Sequence, residues 1–140
     1  MKTHIAEQVV RYAETDRMQV VHHSTYLIWF EIGRTGLLAE AGFPYHEMER
    51  NGMIFPVVEY SCRLVGSVDY GDTVRIETHI AEVKSRAVKF EYKITNRGTV
   101  VATGMSKHIS SNSKRTPRRI AEPLARALEA YTANGDQKRI

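Results

Sequence analysis

The side chains able to do chemistry gather early in the chain. Asp16 stands seven residues ahead of His23, the second of two adjacent histidines, and a mostly apolar run of helical length, 24–41, follows them directly. A carboxylate can attack a carbonyl carbon as a nucleophile or draw a proton from water as a general base. The free N–H groups and positive dipole end of a buried helix supply fixed donors for negative charge developing on a carbonyl oxygen. A lone loop aspartate reads more readily as an Asx turn, bonding its own backbone. Adjacent histidines do not easily aim at one ion, and no third ligand stands at metal-site spacing, so no metal is expected at His22 and His23.

The run 24–41 ends before Gly42 and Pro44, a normal stop signal, with Ser24 the expected N-cap. Its apolar residues cover most of the circumference and leave a narrow polar stripe of Glu31, Arg34 and Thr35, so it must be enclosed. Glu31 and Arg34 are spaced to pair across one turn. Alternation of apolar and polar residues predicts strands over 74–80 and 88–94, followed by a third over 99–109. Short links, 84–86 and Asn96-Arg97-Gly98, imply an antiparallel meander. Strands over 53–65 and 5–12 bring the sheet to five, and Pro56 makes the former start late or lie at an edge. The spacing of Leu124, Leu128 and Tyr131 predicts a C-terminal helix over 120–131. The expectation is an α+β fold, a five-stranded antiparallel sheet wrapped around one long helix, in a single domain over 1–140. Within it, 1–112 reads as core and 113–140 as a basic linker and C-terminal helix.

Composition narrows the classes of function. With 140 residues, 42% hydrophobic and 26% charged, one ordered domain is expected and disorder is a poor fit. The longest stretch without a formal charge, 18–30, is 13 residues, below the roughly 20 needed to cross a bilayer. The N-terminus lacks the apolar core of an export signal, so a cytoplasmic address is expected. One cysteine, Cys62, excludes an internal disulfide. Twenty Lys and Arg against sixteen Asp and Glu give +4, a mild bias toward an anionic partner such as a phosphorylated cofactor or nucleic acid.

Glu14-Thr15-Asp16, Val20-Val21-His22-His23, Tyr26, Phe30-Glu31 and Arg34, in this order and spacing, resemble the opening motif of the hotdog-fold acyl-CoA thioesterases, the 4-hydroxybenzoyl-CoA thioesterase-like family. The resemblance covers nearly the whole chain. It implies the hotdog fold, an acyl-CoA substrate, no resident cofactor and a homo-oligomer with sites between subunits, dimer or tetramer with the tetramer favoured. It also implies an acyl-CoA thioester hydrolase, releasing free acid and coenzyme A. Carried over by position, Asp16 matches the catalytic carboxylate. His23 matches the helix-start residue whose backbone N–H holds the thioester oxygen. Nucleophile and general base remain open for Asp16. His22, Tyr26 and Glu59 are candidates to line the substrate site, Glu59 reading more simply as an outward polar residue on its strand. The family often has glycine where this chain has Gln19, which makes Gln19 another candidate at the site.

In related thioesterases, basic residues at the turn between the first two meander strands contact the coenzyme A phosphates, which implies Lys84, Ser85 and Arg86 here. Arg118, in the cluster Lys114, Arg115, Arg118 and Arg119, is the next candidate. The alternatives are a non-catalytic acyl-CoA binder and a nucleic-acid-binding module built on 114–119. The latter lacks interleaved aromatics to stack bases, so no nucleic-acid partner is expected.

Overall fold

Period-two alternation builds the sheet. In the computed structural model, which describes residues 1–18 and 20–133, β1 (His4–Val9), β2 (Val57–Leu64), β3 (Thr73–Val83), β4 (Ala87–Asn96) and β5 (Thr99–Ile109) pair antiparallel in the order β1-β3-β4-β5-β2. Val74, Ile76, Thr78 and Ile80 of β3 and Val88, Phe90, Tyr92 and Ile94 of β4 are buried on one face. The other face carries charges that meet across strands, as Lys93 Nζ and Glu77 Oε2 do at 3.5 Å. The meander β3-β4-β5 is as expected. So is the late start of β2, immediately after Pro56, which has no N–H to give a ladder.

The buried face packs on α1 (His23–Glu40), the long helix the apolar run predicts. Trp29, Tyr26, Phe30 and Leu37 are almost fully enclosed between helix and sheet. Two glycines set how closely these layers approach. A Cβ at Gly33 would strike Thr78 of β3, and one at Gly104 of β5 would strike the Phe30 ring. The C-terminal helix, α3 (Glu122–Glu129), is shorter than the expected 120–131 and buries Leu124 and Leu128. Its end is tied to α1 where the Tyr131 hydroxyl donates to Glu40 Oε2 at 2.6 Å.

The structure departs from expectation in four further places. A short helix, α2 (Tyr45–Arg50), follows Pro44 and was not predicted, being too short for periodicity to reveal. The expected strand over 5–12 stops at Val9, and Tyr12–Glu14 forms a 3-10 turn because the Glu14 carboxylate turns back to accept the Arg11 N–H at 2.7 Å. His22, in extended conformation, is the N-cap in place of Ser24, its Nδ1 accepting the Ser24 N–H at 3.2 Å. The helix is also not enclosed all round. Ile28 is 50% exposed, and Val57, Val58, Tyr60 and Leu64 of β2 are exposed as well, because α1 lies mainly over β1 and β3 and edge strand β2 extends beyond it. No helix of the described residues is long and apolar enough to cross a membrane.

Candidate active site

The segment leading into α1 folds back on itself as a narrow antiparallel loop. The His22 N–H donates to Glu14 O at 2.9 Å, Thr15 bridges Val21, and the Asp16 N–H donates to Val20 O at 2.9 Å. Asp16 and the start of α1 are therefore neighbours on one small ladder, separated by about two residue steps, roughly 7 Å along the strand direction. The Val21 N–H donates in turn to Val68 O at 2.9 Å, which fastens the ladder to the body.

Glu14 anchors this arrangement, a role that the sequence reading did not assign it. Its carboxylate is buried, receiving the Arg11 N–H, the Arg11 Nε at 3.3 Å and the Trp29 indole N–H at 3.2 Å. The indole belongs to the enclosed face of α1, so loop and helix are locked through one charged group. A buried carboxylate needs such donors, since leaving it unpaired would cost several kcal/mol. An acidic residue three positions after a basic one, ahead of a buried tryptophan, was the available signal.

Half-buried Asp16 accepts the Met18 N–H on Oδ1 at 2.7 Å, which is the Asx turn a loop aspartate favours. Its Oδ2 has no hydrogen-bond partner among the described residues. At the helix start, the Ser24 N–H is used by His22 Nδ1 and the Thr25 N–H by His22 O at 3.0 Å. The His23 N–H is left without an acceptor among the described residues. One carboxylate oxygen and one helix-terminal donor thus remain available on neighbouring segments. The His22 and His23 rings, both on exposed residues, lie 4.1 Å apart between centroids.

The other predicted residues are distributed differently. Tyr26 is buried, edge-to-face on Trp29 at 5.1 Å, and its hydroxyl pKa is raised by burial and then by the nearby Cys62. Burial likewise raises the Cys62 thiol, which is the opposite of an activated nucleophile. Glu59 is exposed opposite Lys107 of β5, and strand alternation puts it on the sheet face away from α1. Gln19 lies outside the described residues, as do 134–140 of the C-terminal segment.

The basic residues converge. The Ser110 N–H donates to Arg86 O and the Ile120 N–H to Ser85 O, each at 2.8 Å, while the Arg118 N–H donates to Ser110 O at 2.9 Å. These bonds stitch the β3–β4 turn to the segment after β5, so that exposed Lys84, Arg86 and Arg118 form one positive cluster. Lys84 Nζ is partly compensated by Glu82 Oε1 at 3.2 Å.

Beside α1, on the β2 side, lie two adjoining hollows of about 210 and 250 Å³. Glu31, Arg34 and Val57 line both. The expected Glu31–Arg34 ion pair does not form within 4.0 Å among the described residues. Behind the hollows runs a buried polar chain that the sequence reading missed: Tyr92 Oη to Ser106 Oγ at 2.5 Å, Ser106 Oγ to His108 Nε2 at 2.8 Å, and His108 Nδ1 to Phe55 O at 2.9 Å. Burial lowers the His108 pKa to about 4, with a backbone bond to Phe55 opposing and the Arg34 charge assisting. Among the described residues, no group of three or more His, Cys, Asp or Glu is arranged to hold a metal ion.

The family model for the thioesterase-like superfamily matches residues 10–130. YneP of Bacillus subtilis, provisionally named an acyl-CoA thioesterase, is 39% identical over 101 residues, covering 71% of this chain and 73% of that one. The DHNA-CoA thioesterase of Staphylococcus aureus superposes with a TM-score of 0.91 at 29% identity, covering 100% of this chain and 97% of the other. The gentisyl-coenzyme A thioesterase BH1999 superposes with a TM-score of 0.83 at 27% identity, covering 86% and 98%.

Proposed function

The chain belongs to the thioesterase-like superfamily, with the hotdog fold, and we propose that it hydrolyses an acyl-CoA thioester to free acid and coenzyme A. The observation that carries this reading is the ladder joining Glu14, Thr15 and Asp16 to the start of α1, with a carboxylate oxygen and a helix-terminal N–H on its neighbouring segments that have no partner among the described residues. The His23 N–H donates to the thioester oxygen and stabilises the charge that forms there in the tetrahedral intermediate. Asp16 works on the carbonyl carbon. As a nucleophile it expels the coenzyme A thiolate and forms a mixed anhydride that water then cleaves. As a general base it takes a proton from water, and the hydroxide so formed attacks.

Lys84, Ser85, Arg86 and Arg118 hold the coenzyme A phosphates, supported by the hydrogen bonds that gather them on one surface. Of the substrate-side candidates, His22 stands at the exposed start of α1 and Gln19 precedes it in the chain, whereas Tyr26 is packed in the core and Glu59 faces away from α1. The reaction needs no resident cofactor. The enzyme acts in the cytoplasm as a homo-oligomer, with a tetramer favoured. Support for assembly comes from the uncovered apolar face of edge strand β2 beside exposed Ile28, since such edges invite pairing.

The test is Asp16→Asn. The variant should fold and bind coenzyme A as before while thiol release falls by about 10²- to 10⁴-fold. Near-normal turnover would reject the assignment, and binding without hydrolysis by the unmutated protein would favour a non-catalytic acyl-CoA binder.

A further inference from the structure

The chain Tyr92–Ser106–His108–Phe55 has only one consistent direction. A carbonyl oxygen only accepts, so His108 Nδ1 carries the proton given to Phe55 O. The ring is neutral at ordinary pH, so Nε2 accepts and the Ser106 hydroxyl donates to it. Having used its proton, Ser106 accepts from the Tyr92 hydroxyl. Tyr92 Oη is then left with a free acceptor site near Arg34: burial raises the Tyr92 pKa, and the Arg34 charge is among the influences opposing that rise. The buried chain therefore ends beside a guanidinium.

That guanidinium lines both hollows beside α1, yet no carboxylate lies within 4.0 Å of it among the described residues. Glu31, one turn earlier, is exposed and beyond ion-pair distance. The surrounding wall is largely apolar, with Leu38, Phe55, Val88 and Phe90 in one hollow and Leu27 and Ile28 in the other, toward the helix start. A half-buried cation against apolar walls ordinarily has a counter-charge. Among the described residues none stands within ion-pair distance, and planar N–H donors, the geometry that matches a carboxylate, have no carboxylate partner there.

The helix also sets a length. From His23 to Arg34 the rise is about 16 Å, and a helical side chain leans back over the preceding turn, about 5 Å, so the guanidinium lies roughly 11 Å from the free His23 N–H.

Building on the thioesterase reading, we propose that Arg34 is a specificity-determining residue that receives a second carboxylate at the far end of a medium-length acyl group, making the preferred substrates ω-carboxyacyl-CoA thioesters. Tyr92 is its positioning residue. Glu31 repels such a carboxylate, but its exposure lets solvent screen that repulsion. A succinyl group is too short to reach.

The experiment compares thiol release from octanedioyl-CoA, octanoyl-CoA, 8-hydroxyoctanoyl-CoA and succinyl-CoA. The unmutated protein should favour octanedioyl-CoA over octanoyl-CoA in kcat/KM by roughly ten- to a hundredfold, the size of a charge-assisted hydrogen bond in a partly solvated pocket. Arg34→Met should bring that ratio close to one through the KM for octanedioyl-CoA, and Arg34→Lys should restore part of it. Tyr92→Phe should lower the ratio in the same direction. Preference for octanoyl- or 8-hydroxyoctanoyl-CoA, or an Arg34→Met variant that keeps the ratio, would overturn the proposal while leaving the thioesterase reading standing. No thiol release from any of the four, with coenzyme A still bound, would instead refute the thioesterase reading and this inference with it.

Discussion

Acidification should destabilise the protein through one identifiable group, His108. Folding removes its imidazole from water, and that desolvation disfavours the charged ring more than the bond to Phe55 favours it. Its pKa falls from an ordinary 6.5 to about 4. Between these values the unfolded chain binds a proton that the folded chain does not, so protons favour unfolding. The stability at stake is fully present above pH 6.5, drains away as the pH drops, and levels off near pH 4. A difference of this size corresponds to about 3 kcal/mol. Carboxylates such as Glu40 and Asp72, whose pKa values are lowered by hydrogen bonds, lose stabilising interactions at low pH as well, so the total loss is not diagnostic. The decisive quantity is the difference between the unmutated protein and His108→Gln, which keeps polar atoms but cannot titrate. Denaturant unfolding at half-unit steps from pH 7.5 to 4 should show this difference shifting by about 3 kcal/mol in favour of the variant. A constant difference would refute the reasoning. So would a ¹⁵N spectrum in which the His108 ring takes up a proton near pH 6.5.

Other perturbations probe separate parts of the molecule. Tyr131→Phe deletes the donor to Glu40 that joins the end of α3 to the end of α1, and should cost about 1–2 kcal/mol in denaturant unfolding near neutral pH. Because that bond holds the Glu40 pKa down, the cost should fade as the solution is acidified below the ordinary carboxylate range, and a cost that persists there would contradict it. Gly104→Ala forces a methyl group into the Phe30 ring and the Ser61 carbonyl, and should lower stability by about 1–3 kcal/mol; thermal unfolding unchanged from the parent would show that the layers can separate freely. Arg86→Gln together with Arg118→Gln should raise the KM for acyl-CoA roughly three- to tenfold with little change in kcat, and should flatten its dependence on salt. A lower kcat with unchanged KM would remove these arginines from the nucleotide site.

Sequence periodicity revealed the layers because each obeys a repeat that one element can express alone. Val74, Ile76, Thr78 and Ile80 declare a strand without reference to any other segment, and the run into Gly42 declares a helix and its end. The ladder at Asp16 was partly legible, since motif order brings the carboxylate to the start of α1, but the N-cap was displaced from Ser24 to His22 by a ring nitrogen that propensities ignore. What stayed hidden depends on long-range register. Tyr92 and Ser106 are 14 residues apart, and Phe55 is 53 from His108, so only the pairing of β2, β4 and β5 brings these groups into one line. In the sequence His108 is one more residue on an alternating strand.

This contrast extends to how the two parts of the candidate site are held. The Asp16 ladder is built largely from backbone bonds of a single loop, locked to α1 by the side chains of Glu14, Trp29 and Thr25, so a local substitution can alter it without disturbing the sheet. The hollow beside Arg34 is different, because its polar wall is formed by inward-facing positions of β4 and β5 and its orientation depends on a bond to the loop ahead of β2. Strand register must stay fixed for that wall to exist, since a slip of one residue would turn Ser106 and His108 to the opposite face. On the proposed reading, acyl selectivity is therefore more easily changed at half-buried Arg34 and exposed Glu31 than at the chain behind them. The bond-breaking end and the recognising end of α1 are then, on the same proposed reading, separately adjustable, one through its first turn and the other through a side chain three turns further on.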